Sequence, residues 1–361
     1  MDISRCMIVA QKEFADQITG KRFFAILALF LIITALGMHQ GIEEYTTDLT
    51  EYQEKMVAAE SHGLTMGNKP SILSVFSAIS DQVVIIGGIL AISIGFDLVS
   101  KEKETQTLKM LLSHPIYRDE VINGKAIAGG GSIALAIGLA LLVSLAMCLL
   151  AGILPTIDEF SAILTFGAVT IIFLLIYFTL ALTVSTLAPD SGSALIATLI
   201  IFIVLSSLLP LAGETAVDVW AGKQPEPPYV QTFIYSENSP LIPVNTYAQT
   251  SQEEEEAMTT YEAEAKVYYE KKGIVTAFVE AFSPQTNYKK ITSAIIDPYI
   301  TERSLHSQPG SISTGTSDSD AEPPHFLDVL GELWGNIALL LILPGVCYLL
   351  AYVCFMRIDV R

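Results

Sequence analysis

Charge is scarce in this sequence. Only 16% of its 361 residues are Asp, Glu, Lys or Arg, whereas a soluble domain carries about 25%. Positive charge is the scarcer sign. Twenty Lys/Arg face 38 Asp/Glu for a net charge of −18, and no basic cluster occurs, which excludes nucleic-acid binding as a leading class. Cysteine is rare as well. Cys6, Cys148, Cys347 and Cys354 form no Cys-x-x-Cys pair, and three of them sit in apolar runs, so they read as free thiols with neither a disulfide frame nor a metal site. The five histidines are scattered without a His-x-x-x-His or His-Glu pair, which leaves a metalloprotease without visible ligands. There is no Gly-x-x-x-x-Gly-Lys-[Ser/Thr] loop. Gly124-Lys125-Ala126 lacks both the upstream glycine and the hydroxyl, so nothing cradles ATP phosphates. No Ser/His or paired-Asp site marks an intramembrane hydrolase, and no enzyme is expected. No cleavable signal peptide is evident, because the first apolar run starts only at Phe23 after a mixed polar segment.

What is abundant is hydrophobicity: 51% of residues are apolar and mean hydropathy is +0.50. A membrane helix needs roughly 20 mostly apolar residues to cross about 30 Å of hydrocarbon. Six runs meet or approach that length: 23–38, 76–96, 126–151, 162–187, 193–211 and 333–356. An even number of spans puts both termini on one side. With the termini cytoplasmic, the inner segments hold 11 Lys/Arg and 10 Asp/Glu, leaving 9 and 28 outside. The short Lys-rich loop at 97–125 then also lies inside, as the positive-inside rule requires. Two large outer segments follow, 40–75 and 212–332. The second holds an amphipathic pattern in Met258, Tyr261, Ala265, Tyr268, Val275, Phe278 and Phe282. A turn at Ser283-Pro284 then opens a second helix. The Ser/Gly/Asp/Pro-rich stretch 307–324 reads as a linker. The expected division is 1–211 (amphipathic N-terminal helix and spans one to five), 212–332 (extracytoplasmic insertion) and 333–361 (span six and cytoplasmic C-terminus).

The loop between spans two and three, SKEKETQTLKMLLSHPIYRDEVINGK, is charged yet carries Leu108, Leu111 and Leu112 on one helical face. Pro115 ends that helix. Ser113 is placed to cap a second helix that begins near Pro115 and runs through Tyr117, Val121 and Ile122 into span three. Periodicity alone leaves two partners open for the leucine face, a lipid surface or another protein. The N-terminal segment has similar character. Ile3, Met7, Phe14 and Ile18 recur by four or seven, which predicts a helix along the inner interface that turns into span one near Gly20.

Several other features have plain readings. Asp81-Gln82 lies roughly 22 Å from Phe96 along a helix, as either an intramembrane polar site or a headgroup-level cap. Gly129-Gly130-Gly131 with Gly138 suits close helix packing. Thr179, Thr183, Ser185 and Thr186 make the inner end of span four polar. Pro189-Asp190-Ser191-Gly192 is a short inner turn. The run Glu253 to Glu256 lacks the spacing of a calcium loop and suits a solvated helix start.

These segments resemble the permease subunit of ABC transporters of the ABC-2 type, in the branch that includes nitrous-oxide-reductase maturation permeases. The resemblance rests on Lys12-Glu13-Phe14 in an elbow helix and on Glu102, Glu104, Thr107, Leu108, Leu111, Leu112, Ser113, Pro115, Arg118, Gly124 and Lys125 in the loop. FSPQTNYKKITSAIIDP before the last span and the ending FMRIDVR add to it. One departure is Gln106, which stands where the family commonly has glycine. The resemblance implies an all-α polytopic membrane protein with six transmembrane helices, an N-terminal elbow helix, a cytoplasmic coupling helix and a partly helical extracytoplasmic insertion. It implies a plasma-membrane permease, expected to export, whose ATP and Mg are bound by a separate ABC ATPase subunit, in two copies, and not by this chain. It further implies a second permease copy or paralogue, and membrane lipid, as partners. On this reading Leu108, Leu111 and Leu112 form the apolar knob, flanked by Glu102, Glu104 and Arg118. The alternative is a membrane-anchored receptor with an extracytoplasmic ligand-binding domain.

Overall fold

The computed structural model describes residues 3–62, 70–107, 117–225, 230–234, 242–246, 252–298 and 326–358. Helix α1 (Ile3–Thr19) is followed by α2 (Lys21–His62). Helix α3 is composite: a 3-10 turn Ile72–Phe76, helical Ser77–Gln82, a π-helical turn Val83–Gly87 and helical Gly88–Gly95. Then come α4 (Ser100–Glu104), α5 (Arg118–Leu150) and α6 (Ile157–Leu187). Helix α7 is also composite, with a π-turn Val204–Leu208 between Ser191–Ile203 and Leu209–Trp220. A ribbon of β1 (Val230–Ile234) and β2 (Ile242–Thr246) leads to α8 (Gln252–Phe282) and α9 (Pro284–Ile296). Last are α10 (Phe326–Glu332) and α11 (Trp334–Met356).

Among the described residues, six helical stretches are long and apolar enough to cross a membrane: Lys21–Met56, Ile72–Glu104, Arg118–Leu150, Ile157–Leu187, Ser191–Trp220 and Trp334–Met356. The expected all-α polytopic architecture holds, with one addition. β1 and β2 pair antiparallel, from Val230 opposite Thr246 to Ile234 opposite Ile242. β-branched residues alternate through both segments, a pattern suited to a pleated strand.

The first span is much longer than the 23–38 run. At 1.5 Å per residue, α2 extends about 63 Å, twice the hydrocarbon thickness. Its polar second half stays helical because Tyr45 is buried and Ile42 and Leu49 pack on the core. Glu51 also pairs with Lys55 at 2.5 Å, one turn on. Gly41 admits the backbone of Val75, since a Cβ there would lie 2.5 Å from Val75 O.

Span six is the most exposed and span two the most buried, so α3 and α6 form the centre of the bundle. Phe173, Leu174, Tyr177, Phe178, Leu90 and Ile92 are buried there. Gly129 of α5 is required by this packing, because a Cβ would meet the Phe178 ring at 2.1 Å. A Cβ added to Gly138 would meet nothing within 4 Å among the described residues, so the expected close packing applies to only part of that glycine set.

The helix starts follow local chemistry. Thr156 and Glu159 cap α6 reciprocally: Glu159 N donates to Thr156 Oγ1 at 3.3 Å and Thr156 N donates to Glu159 Oε2 at 2.7 Å. Ser283 caps α9, accepting from Thr286 N at 3.3 Å with Pro284 in the first turn. The expected helix start near Pro115, with Ser113 as cap, is corrected. Tyr117 is extended, α5 begins at Arg118, and Glu120 Oε2 accepts from Tyr117 N at 3.2 Å. Ser113, Pro115, Leu108, Leu111, Leu112 and the 307–324 linker lie outside the described residues.

The insertion does not stand apart from the bundle. Helix α9 is seated within it: Tyr288 stacks on Phe173 with ring centroids 4.3 Å apart, and its hydroxyl bonds Thr170 at 3.1 Å. Thr292 bonds Ser80 at 3.0 Å. The apolar stripe expected on α8 divides. Ala265 and Tyr268 are buried, whereas Phe278 and Phe282 face outward at 58% and 55% exposure, and Val279, not in the expected stripe, is buried in their place.

Candidate functional site

The described residues among those singled out around the charged loop gather at the end of the bundle that holds both described termini. Helix α4 is the junction. Its five residues lie beside the turn between α6 and α7, and the two ends of that turn present opposite dipoles. Lys103 Nζ donates to the carbonyls of Thr186 and Ala188, the latter at 3.2 Å, at the C-terminal end of α6. Glu104 Oε2 accepts from Ser191 N at 3.3 Å and Ser191 Oγ at 3.0 Å, at the N-terminal end of α7. The cation meets carbonyls left over at a helix C-terminus, and the carboxylate meets an N–H left over at a helix N-terminus together with the Ser191 hydroxyl. Ser185, on the polar end of span four, fixes the α3–α4 corner. Its hydroxyl accepts from Val99 N and Ser100 N, each at 3.0 Å. Asp190 completes the turn by capping α7, with Oδ1 accepting from Ser193 N at 2.9 Å.

Beside α4 lies a buried ion cluster. Lys125 Nζ is 2.7 Å from Glu102 Oε1 and 3.2 Å from Glu13 Oε2, and the lysine side chain is 2% exposed. Three elements meet here: α1 through Glu13, α4 through Glu102 and α5 through Lys125. Two carboxylates share one ammonium, and Glu102 Oε2 is buried without a hydrogen-bond partner among the described residues. A site with this balance holds its geometry tightly, because losing the cation would leave two partly buried anions side by side.

The elbow helix is seated by the same region. Gly124 admits Val9, since a Cβ there would lie 2.7 Å from Val9 Cγ1. Phe14 packs beside Gly131, and Ser132 Oγ donates to Gln17 Oε1 at 2.7 Å. The face turned inward is therefore Cys6, Ala10, Glu13 and Gln17. Met7, expected in the lipid-facing stripe, is 56% exposed. Lys12 is exposed. Burial, then the negative charges of Glu120 and Asp119, push the Cys6 thiol up from its ordinary value.

Other loop residues have structural partners. Arg118 Nη1 donates to Met356 O at 3.2 Å and Ile358 O at 2.8 Å, fastening the start of α5 to the end of α11. Thr107 Oγ1 lies 2.9 Å from Thr105 Oγ1. Gln106 has φ of 57°, the left-handed region that glycine occupies without steric cost. The position where the resemblance leads one to expect glycine thus has the backbone of a glycine.

Asp81 and Gln82 lie at the opposite end of the bundle. Asp81 is 2.7 Å from Lys289 of α9, and both side chains are substantially exposed. Its charge is matched from the insertion. Gln82 packs its amide against Gly37, where a Cβ would lie 2.4 Å from Nε2. Sequence reasoning missed Lys103, the bonds of Ser185 to Val99 N and Ser100 N, and the pairing of Glu13 with Lys125. A lysine in a charged loop looks solvated until its partner, 83 residues away, is brought beside it.

No relative among curated proteins matches this chain. A family model described as ABC-2 family transporter protein matches residues 7–360. That match takes in the elbow helix, all six spans and the insertion, and the chain therefore belongs to the ABC-2 family of transporter proteins as a multi-pass membrane component.

Proposed function

We propose that this chain is the transmembrane subunit of an ATP-driven exporter in the plasma membrane. A separate ABC ATPase docks on α1 and on the segment between α4 and α5, and carries the ATP and Mg. Family membership supports an ATPase partner. Two permease copies and two ATPases make the working assembly. Both termini and the segment 97–125 are cytoplasmic, and 212–332, the second of the three expected units, is extracytoplasmic.

The observation that carries this reading is the fastening of the docking segment at both ends. On one side α4 is tied to α6, α7 and α5 through Lys103, Glu104 and Glu102. On the other, Arg118 and Lys125 tie α5 to α11 and α1. A displacement applied between them reaches five of the bundle's helices through short polar contacts. ATP binding then favours one arrangement by its differential contacts with the two states. The test is co-expression and co-purification with an ABC ATPase subunit from the same source organism. Leu108→Asp and Leu111→Asp are expected to abolish both association and stimulation of ATP hydrolysis. Unchanged association and stimulation would overturn the reading.

A further inference from the structure

Spans one, three and four are unbroken α-helices without proline. Spans two, five and six are not. Spans two and five carry π-turns at Val83–Gly87 and Val204–Leu208, and span six carries Pro344 inside α11. A π-turn or an internal proline interrupts the regular hydrogen-bond ladder, and bends concentrate there. Pro344 has no N–H for Leu340 O, and Gly345 follows it. A Cβ at Gly345 would meet nothing within 4 Å among the described residues, so packing does not require that glycine. What it adds is backbone freedom.

The break in span two is packed in. Gly87 and Gly88 admit Leu174 and Phe202, and Gly41 seats the insertion-side half of α3 against span one. The breaks in spans five and six instead bound one continuous stretch of chain. Between them lie Leu209–Trp220 of α7, then α8, α9 and α10, then 334–343 of α11. These pieces hold one another. Val279 fills the space at Gly213, and Lys271 Nζ donates to Trp220 O at 3.4 Å. Ala294 packs with Val329 and Leu333. Asn336 Nδ2 donates to Asn287 Oδ1 at 2.7 Å and to Glu280 Oε2 at 3.3 Å. Beyond the two breaks the same spans are tied elsewhere. Asp190 caps the start of α7, Thr183 Oγ1 of α6 donates to Cys347 O at 2.8 Å, and Arg118 holds the end of α11. Helix α9 seats the bounded stretch on spans two and four, through Tyr288 on Phe173 and Thr170, Thr292 on Ser80 and Lys289 on Asp81.

We propose that α8, α9 and α10 swing as one body with the adjoining halves of α7 and α11. The hinges are the π-turn at Val204–Leu208 and the Pro344-Gly345 pair, and the bonds of Tyr288 to Thr170 and Thr292 to Ser80 are the latch that holds the body against spans four and two. From Trp334 to Pro344 the arm is about 15 Å long, so a bend of about 20° moves its tip about 5 Å. The inference concerns how the spans move and rests on neither an ATPase nor a cargo, so it can fail or stand without them.

The test uses the full chain in phosphatidylcholine nanodiscs, with Cys6, Cys148, Cys347 and Cys354 replaced by alanine and spin-labelled copies diluted into unlabelled ones. Labels at Ser161→Cys, exposed at the start of α6, and Ser293→Cys, exposed on α9, report the swing. Labels at Ser293→Cys and Leu341→Cys report whether the body is rigid. Double electron–electron resonance should give a single 161–293 distance in the parent. Tyr288→Phe and Thr170→Val remove the same bond from either side. Each should add a second 161–293 distance, shifted by about 5 Å, while the 293–341 distance stays single. Adding Pro344→Ala with Gly345→Ala should abolish the second distance. An unchanged 161–293 distance in both latch variants, a 293–341 distance that splits as well, or a second distance that survives the alanine pair would each overturn the proposal.

Discussion

Lys125 Nζ and Glu102 Oε1 are 2.7 Å apart in a site from which the lysine is almost wholly hidden. Glu13 approaches the same nitrogen at 3.2 Å. The elbow helix, the docking segment and span three therefore share one cation. Breaking a buried ion pair by removing one partner costs about 3–5 kcal/mol, because the other charge stays buried. Lys125→Met should lower stability by that amount and shift the melting temperature of the purified protein down. Adding Glu13→Gln and Glu102→Gln to it should recover part of the loss. A single Lys125→Met variant that melts like the parent would show that the cluster is solvated.

Glu104 predicts a local effect. Its carboxylate supplements Asp190 at the start of α7 by accepting from Ser191 N and Oγ. Loss of a capping interaction costs about 1 kcal/mol. Glu104→Ala should speed amide exchange at Ser191, Gly192 and Ser193 by roughly fivefold, while amides in the middle of α6 keep their protection. Equal exchange across both regions would mean global loosening, and no change would mean that Asp190 alone holds the turn.

The spans were readable because they obey one strong constraint: a membrane-crossing helix satisfies its backbone internally and is apolar over a set length. The capped start of α9 was readable for a similar reason, since Ser283-Pro284 carries its signal locally. What stayed hidden depends on contact. The second half of α2 has few apolar residues, and its helicity shows only once Tyr45, Ile42 and Leu49 meet the core. The outward turn of Phe278 and Phe282 could not be seen from spacing, because Val275, Phe278, Val279 and Phe282 fit two overlapping stripes and only packing on α7 selects Val279. In the site, Glu102 and Lys125 were legible by their motif, and Glu13 by its place in the elbow. The bond that joins them was not, since it links positions 23 and 112 residues apart.

Gln106 gives a third prediction. A non-glycine residue in the left-handed region carries a steric cost of roughly 1–2 kcal/mol, partly offset in the unfolded state by the greater freedom of glycine. Gln106→Gly should therefore raise stability by roughly 0.5–1 kcal/mol. Gln106→Val should lower it, because a β-branched side chain tolerates positive φ least. Thermal melts of the three proteins in one detergent give the order. A Gln106→Gly protein less stable than the parent would mean that the glutamine side chain holds a contact worth more than the strain.

The Cys6 thiol supplies a pH-dependent readout of how α1 sits on α5. Its pKa is raised, first by burial and then by the charges of Glu120 and Asp119. The thiolate is the reactive form, so a raised pKa keeps Cys6 protonated and unreactive at neutral pH. Alkylation should begin only at a pH above the ordinary thiol range. The sign then fixes what a neighbouring change does. Asp119→Asn removes one of the two negative charges, lowers the pKa and moves the onset of alkylation to lower pH. A variant that detaches α1, such as Gly124→Leu, which would force Val9 away, should remove burial as well and shift the onset further. Mass spectrometry of the Cys6 peptide across a pH series measures both. Identical profiles for the parent and Gly124→Leu would show that α1 is not held against α5 in the folded protein.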